Sequence, residues 1–307
     1  MSKLSLHLYP LSELLVNRSI VIGGPARSGT RILGSLFQTL KKTEYSFEPP
    51  LLYSLIPMIE VLPKHQWKHL FESYLVEEFL LNAVAGRYLN FNEHDYSCVR
   101  KSQSEREIAE KMSKTLSRIE SLCAAKERTI VAKIPDLTVW LEQMVDYYPK
   151  LNVIIMLRKP ESIIGSFNRK GWFSDETLSG PNNYPPYKIV DKYYLSYLVA
   201  DEDADAFIGM NNIERSAYYY VRAYAGIPNS DGVVIIDYDD FVQRPREIFY
   251  TLADHFDLRP GDKTEDVLDM VKEPVKDRSF SWDGVDMDLK KKVYKVADDL
   301  KRRAIKI

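Results

Sequence analysis

Ser19-Ile20-Val21-Ile22-Gly23-Gly24-Pro25-Ala26-Arg27-Ser28-Gly29-Thr30-Arg31 changes pattern twice in thirteen residues. Ser19–Gly23 is a short apolar run closed by a Gly-Pro break, the mark of a buried strand entering a turn. From Thr30 onward Ile32, Leu33, Leu36, Phe37 and Leu40 recur at helical spacing, so the turn opens into a helix. Two glycines let a backbone approach a ligand closely, and a helix N-terminus offers unpaired N–H groups to an anion. Gly24 and Gly29 fit the spacing G-x-x-x-x-G-K-[ST], but Thr30 stands at the lysine and Arg31 at the magnesium-binding hydroxyl. A cation at that last position disfavours metal-bound triphosphate, and the loop carries its own charge earlier, at Arg27.

Three further strands are predicted outward from this stretch: Thr129–Lys133 (TIVAK), Val153–Leu157 (VIIML) and Gly232–Asp237 (GVVIID). Helices are predicted over 66–90 and over 103–126, the latter with Ile108, Met112, Leu116, Ile119 and Leu122 along one face. Others run from Pro160 through Ser166, from the fourth strand to about Ala253, and from about Met287 to Ala304. Apolar strands alternating with helices imply an α/β fold of three layers, with a parallel central sheet and helices on both faces, of the P-loop nucleotide-binding type. With no internal repeat or low-complexity linker, residues 1–307 read as a single domain. Ligands of such sheets bind beyond the carboxyl ends of the strands, which directs attention to Gly24–Thr30, Lys133, Arg158 and Tyr238.

Composition narrows the partners. The chain is 45% hydrophobic and 28% charged, as globular proteins are, and its net charge of −2 supplies no global basic field for nucleic acid. An anionic ligand must therefore be held by a local cluster of cations. Cys98 and Cys123 have no metal-ligand spacing, so no metal site is expected, and so few cysteines suit a reducing compartment. No run of about 18 apolar residues exists to span a membrane, and Met1–Ser19 lacks the form of a secretion signal. These features together predict a cytoplasmic protein.

Three more segments carry recognisable chemistry. Arg158-Lys159-Pro160-Glu161-Ser162-Ile163-Ile164-Gly165-Ser166 leaves a strand with an arginine fork suited to phosphate, and sets Ser162 and Ser166 on one helical face. By itself it is equally a solvated arginine followed by capping serines. Val131-Ala132-Lys133-Ile134-Pro135 ends a strand on a lysine, and Val234-Ile235-Ile236-Asp237-Tyr238-Asp239-Asp240-Phe241 ends one on a tyrosine, with Pro245 soon after. In this order, with a loop of the form P-x-[KR]-S-G-T before them, the segments resemble the sulfotransferases that use 3′-phosphoadenosine 5′-phosphosulfate (PAPS).

The resemblance implies that Arg27, Ser28, Gly29, Thr30 and Arg31 hold the 5′-phosphate and the sulfuryl group. It implies that Arg158 and Ser166 hold the 3′-phosphate, and that Tyr238 lies near the adenine. Lys133 would place a compact charge on the oxygen that links phosphate to sulfate. The chain departs from the cytosolic small-molecule enzymes of this family in two ways. Ile134, Pro135 and Asp136 follow Lys133, where those enzymes carry a histidine shortly after the lysine. Their C-terminal Gly-x-x-Gly-x-x-Lys is also absent, and Lys276–Gly284 would replace it, with Arg278 or Ser279 at the 3′-phosphate. In place of the histidine, Glu48 in Tyr45-Ser46-Phe47-Glu48-Pro49-Pro50 stands 21 residues after Arg27 and resembles the base of tyrosylprotein and heparan sulfotransferases. His65, His69 and His94 are the other candidates.

The implied reaction is direct in-line transfer to a hydroxyl or amine of a small polar or carbohydrate acceptor, without metal. Nine tyrosines between Tyr184 and Tyr224 flank Asp201-Glu202-Asp203-Ala204-Asp205; they read as core packing, or as an aromatic, acidic acceptor pocket under a lid at Gly171–Tyr187. Two rival functions remain: a magnesium-dependent nucleotide or small-molecule kinase, and a non-catalytic nucleotide-binding protein on the same scaffold.

Overall fold

The computed structural model describes residues 10–180, 187–272 and 280–305. Its sheet contains β1 (Ile20–Gly23), β2 (Thr43–Phe47), β3 (Thr129–Lys133) and β4 (Asn152–Leu157). A small antiparallel hairpin, β5 (Tyr187–Val190) and β6 (Tyr193–Ser196), stands apart, and β7 (Val233–Asp237) completes the main sheet. The order is β2-β3-β1-β4-β7, all parallel, with β1 at the centre. The four predicted strands are present within a residue of their expected ends, and β2 is an addition at the edge.

Strand side chains alternate between two cores, which is why the strands read as unbroken apolar runs. Val21, Ile130, Val153, Ile155, Leu157 and Ile235 enter one core. Ile20, Ile22, Val131, Ile154, Met156, Val234 and Ile236 enter the other. The first is covered by helices Pro160–Lys170, Asn212–Ala225 and Met287–Arg303, through residues such as Ile163, Phe167, Tyr220 and Val293. The second is covered by Thr30–Gln38 and Pro245–His255, through Leu33, Phe37, Ile248 and Phe249. Each such side chain, fully buried, contributes roughly 1.5–3 kcal/mol.

The helix after β1 thus lies on one face, and the helices after β3 and β4 lie on the other. Connections that part to opposite faces leave a crevice beyond the carboxyl end of β1, between β3 and β4. The fold therefore puts the Gly24–Gly29 loop, Lys133 and Arg158 at one opening.

Three helix predictions need correction. The expected helix over 103–126 is two, Glu105–Met112 and Arg118–Ala125. Each has its own capping box, Ser104 with Glu107 and Ser117 with Glu120, so the chain restarts instead of continuing. Met112 and Ile119, expected on a buried face, are 61% and 74% exposed. Over 66–90 the helix ends at Val84 and contains a π-helical stretch, Ser73–Leu80. After β7 the helix breaks at Arg244, because Pro245 starts a second one.

Candidate active site

The loop after β1 is shaped by left-handed backbone and close packing. Gly24 (φ 121°) and Gly29 (φ 105°) take conformations that favour glycine. A Cβ on Gly24 would lie 2.8 Å from the Met156 carbonyl, and one on Gly29 would run into the Tyr238 ring. Arg27, Glu48 and Asp136 also have positive φ, at 72°, 43° and 68°. They follow β1, β2 and β3 respectively. Such conformations cost of order 1–3 kcal/mol each and cluster at functional sites.

Four guanidinium groups gather at the loop. Arg158 Nη1 donates to the Arg27 carbonyl at 2.8 Å, and Arg27 Nε donates to Ser166 Oγ at 3.2 Å. Arg27 is therefore the joint between the two phosphate sites expected from sequence. Partial burial, then the charges of Arg31 and Arg158 and more weakly Arg169, push its pKa down. Arg158 lies 4.4 Å from the Tyr238 ring centroid, and its buried Nε has no hydrogen-bond partner among the described residues. Arg31 stacks over the Tyr96 ring at 3.8 Å. Like charges held together around a helix N-terminus suit a polyanion.

Lys133 and Glu48 form an ion pair at the ends of β3 and β2. Phe47 is the register partner of Lys133, and the Glu48 N–H donates to the Lys133 carbonyl at 3.0 Å. Lys133 is 3% exposed, and its ammonium lies 4.7 Å from the Phe47 ring centroid. Burial pushes the lysine's pKa down, against the opposing pull of Glu48.

Asp136 was not among the predicted site residues. Its Oδ1 accepts from the Ala26 N–H at 2.9 Å, and its own N–H donates to the Gly24 carbonyl at 3.1 Å. The carboxyl is buried, which raises its pKa to about 6 against the lowering effect of the Ala26 N–H and the Tyr219 hydroxyl. Tyr220 and Tyr224 of the same helix as Tyr219 donate to the carbonyls of Arg158 (3.1 Å) and Met156 (2.7 Å). These three members of the tyrosine-rich segment buttress the phosphate loop and the end of β4. Two signals for the missed residues lay in the chain: Asp136 directly follows a strand-ending Lys-Ile-Pro, and Arg169 falls three after Ser166 on one helix face.

Ser28 and Thr30 are buried within the loop and first helical turn. Arg278 and Ser279 lie outside the described residues, as do Pro181–Pro186 of the expected lid. His65 and His69 lie on the 64–72 helix, and His94 lies on the loop whose Tyr96 stacks on Arg31. Among the described residues no group of three or more His, Cys, Asp and Glu side chains is placed to hold a metal, and no helix is long and apolar enough to cross a membrane.

Residues 19–262 match the model of a family described as the sulfotransferase family. Curated proteins gave no match. Among solved structures, the chain is similar to the sulfotransferase domain of the Synechococcus PCC 7002 olefin synthase, at 16% identity over 92% of this chain and 94% of that one, with a TM-score of 0.48. It is similar to a sulfotransferase of Mycobacterium tuberculosis at 16% identity, over 96% and 78%, with a TM-score of 0.38. For a sulfotransferase of Mycobacterium avium the values are 13%, 95% and 78%, and 0.43.

Proposed function

We propose that this chain, which belongs to the sulfotransferase family, moves the sulfuryl group of PAPS to a hydroxyl or amine of a small-molecule or carbohydrate acceptor. The observation that carries the choice of donor is the crowd of guanidinium groups at the Gly24–Gly29 loop, with Arg158 Nε buried and, among the described residues, without a hydrogen-bond partner. A nucleotide with phosphate at both 3′ and 5′ positions is the polyanion that Arg27, Arg31, Arg158 and Ser166 would hold. Tyr238, packed on Gly29 and under Arg158, offers a flat face beside them.

The chemistry follows from the Lys133–Glu48 pair. The acceptor oxygen forms a bond to sulfur as the bond from sulfur to the phosphate oxygen breaks. The acceptor proton passes to the Glu48 carboxylate, and the electron pair leaves on the phosphate oxygen, where Lys133 and Arg27 balance the charge. Each charge of the pair holds the other in place, with Lys133 buried and Glu48 partly exposed toward the acceptor side. The whole of residues 1–307 serves this site as one domain: Met287–Arg303, beyond the family match, packs on the helices that buttress Arg158. Free thiols at Cys98 and Cys123 suit a cytoplasmic setting.

The test is incubation with PAPS and a panel of hydroxyl and amine acceptors in EDTA, with products read by mass. Sulfated product at an undiminished rate is expected, because the sulfuryl group carries less charge than a terminal phosphoryl group and the arginines stand in for magnesium. Phosphorylation from ATP with a strict magnesium requirement would establish the kinase rival. Tight nucleotide binding without any product would establish the non-catalytic one.

A further inference from the structure

A cavity of about 670 Å³ lies along β2, the edge strand of the sheet. Its walls include Phe47, Pro49 and Pro50, which bracket Glu48 in the chain. The Phe47 ring is shared, since it also sits beneath the Lys133 ammonium. Tyr45, two residues earlier on the same face of the strand, is near enough to Glu48 for that carboxylate to add to the rise in its pKa that burial causes. The cavity and the Lys133–Glu48 pair are therefore neighbours through two aromatic side chains.

The lining is aromatic and polar but contains no uncommitted cation. Its one basic residue among those described, Lys111, is paired with buried Glu44 at 2.8 Å, and Arg128 reaches the same carboxylate at 3.4 Å. Glu78 accepts from the Tyr88 hydroxyl at 2.9 Å. Four lining residues bury a polar atom that has no hydrogen-bond partner among the described residues: the Tyr45 hydroxyl, Glu44 Oε1 and the amide oxygens of Gln38 and Gln103. The Tyr45 hydroxyl sits where a Cβ on Gly34 would be, so the helix after the phosphate loop keeps a glycine mid-helix against this wall.

The opposite wall is the π-helical stretch Ser73–Leu80, a rare geometry that recurs at functional sites. Tyr74 and Phe79, five apart in this stretch, both line the cavity, and the Phe79 ring meets the Tyr88 ring edge-on at 5.7 Å. Small-molecule pockets commonly measure about 300–1,000 Å³ and combine apolar walls with a few polar groups.

We propose that this cavity is the acceptor site, and that it takes a neutral hydroxy compound built on an aromatic or alicyclic ring. The proposal rests on the sulfotransfer reading above for the fate of the ligand, though not for its binding. The ring lies between Phe47, Tyr74 and Phe79, the hydroxyl faces Glu48, and an anionic analogue meets that carboxylate and finds Lys133, like Lys111, already paired. The tyrosines of the Asn212–Ala225 helix do not line this cavity, and Tyr220 and Tyr224 brace the end of β4 instead.

The experiment titrates 2-naphthol and 2-naphthoate into the full-length protein by calorimetry, alongside Ala83→Trp and Leu89→Trp, which fill the cavity from a helix and from a loop. Thermal unfolding identifies which variants are folded, and Leu89, only partly buried, is the safer site. Wild type is expected to bind 2-naphthol about tenfold or more tightly than 2-naphthoate. Each folded variant is expected to lose about tenfold or more of the naphthol affinity, with binding of 3′-phosphoadenosine 5′-phosphate unchanged. No naphthol binding by wild type, equal binding by a filled variant, or preference for the carboxylate overturns the proposal. If naphthol binds and the variants lose it but PAPS never sulfates it, the cavity assignment stands and the sulfotransfer reading falls. If filled variants sulfate naphthol at the wild-type rate, the reverse holds.

Discussion

The loop after β1 and the cavity beside β2 lie at the same end of one sheet, yet they are built from different materials. The loop is a backbone device. Gly24 and Gly29 adopt positive φ, the Asp136 carboxylate fixes the Ala26 N–H, and Thr30 begins the helix that follows the loop. Apart from Asp136, such a device is made of residues close in the chain, so it leaves a pattern in sequence. The cavity is a side-chain device. Phe47, Tyr74 and Gln103 come from an edge strand, a π-helix and a loop, and nothing in their spacing along the chain relates them. On the reading proposed above, the part that would handle the donor is largely local in sequence, and the part that would select an acceptor is assembled across it.

The sharpest way to break that division is at Glu48, which stands on the border. Glu48→Gln keeps the side chain's shape and removes the base. Turnover is expected to fall about 10²- to 10⁴-fold, the usual loss when general-base catalysis is removed. Affinity for 3′-phosphoadenosine 5′-phosphate should stay within a few-fold of wild type. Kinetics and calorimetry on one preparation, with circular dichroism to check folding, separate the two effects. Turnover within a few-fold of wild type rules Glu48 out as the base, and a large loss of nucleotide affinity moves it to the donor side.

Arg158→Ala probes the other region alone. Its guanidinium donates to the Arg27 carbonyl and is crowded by other cations, so an anion gains charge-assisted hydrogen bonds of roughly 1.5–3 kcal/mol there. Nucleotide affinity is expected to fall about 10- to 100-fold, while binding of an acceptor to the free enzyme should be unchanged. Equal calorimetric affinity in wild type and variant would take Arg158 out of the nucleotide site.

How much could be read from the chain follows the same line. The four strands with unbroken apolar runs are all visible, because both faces of each are buried. Thr43-Glu44-Tyr45-Ser46-Phe47 is not, since an edge strand need not be apolar and Glu44 is neutralised by Lys111 and Arg128 from elsewhere in the chain. Apolar periodicity over 103–126 persuades the eye of one long helix, but Ser104 and Ser117 each start their own. The π-helical stretch has no signature that apolar spacing could reveal. Among the tyrosines, only folding shows that Tyr219, Tyr220 and Tyr224 hold up the nucleotide loop and the end of β4.

Asp136 is where the smallest and most discriminating effect is expected, because it touches the donor loop and not the acceptor cavity. An ordinary aspartate titrates near 3.9, whereas burial keeps the folded-state value at about 6. The folded protein therefore holds a proton at this carboxyl between those values that the unfolded chain does not. The stabilisation is fully present below about pH 4 and is lost as pH rises through about 6, a change on the order of 1–3 kcal/mol. Asp136→Asn keeps an oxygen for the Ala26 N–H and has no such titration. Its urea midpoint, measured relative to wild type, is expected to climb from pH 4 to about pH 6.5 and then level off. Nucleotide affinity at neutral pH should change by no more than a few-fold in this variant. In Asp136→Ala, which leaves the Ala26 N–H without its partner, it should fall about tenfold. Acceptor KM should be unaffected in both. A midpoint difference that does not vary with pH would mean that the carboxyl ionises as if exposed. A raised acceptor KM would mean that the loop and the cavity are not separate devices, and the division between donor and acceptor regions would have to be redrawn around Asp136.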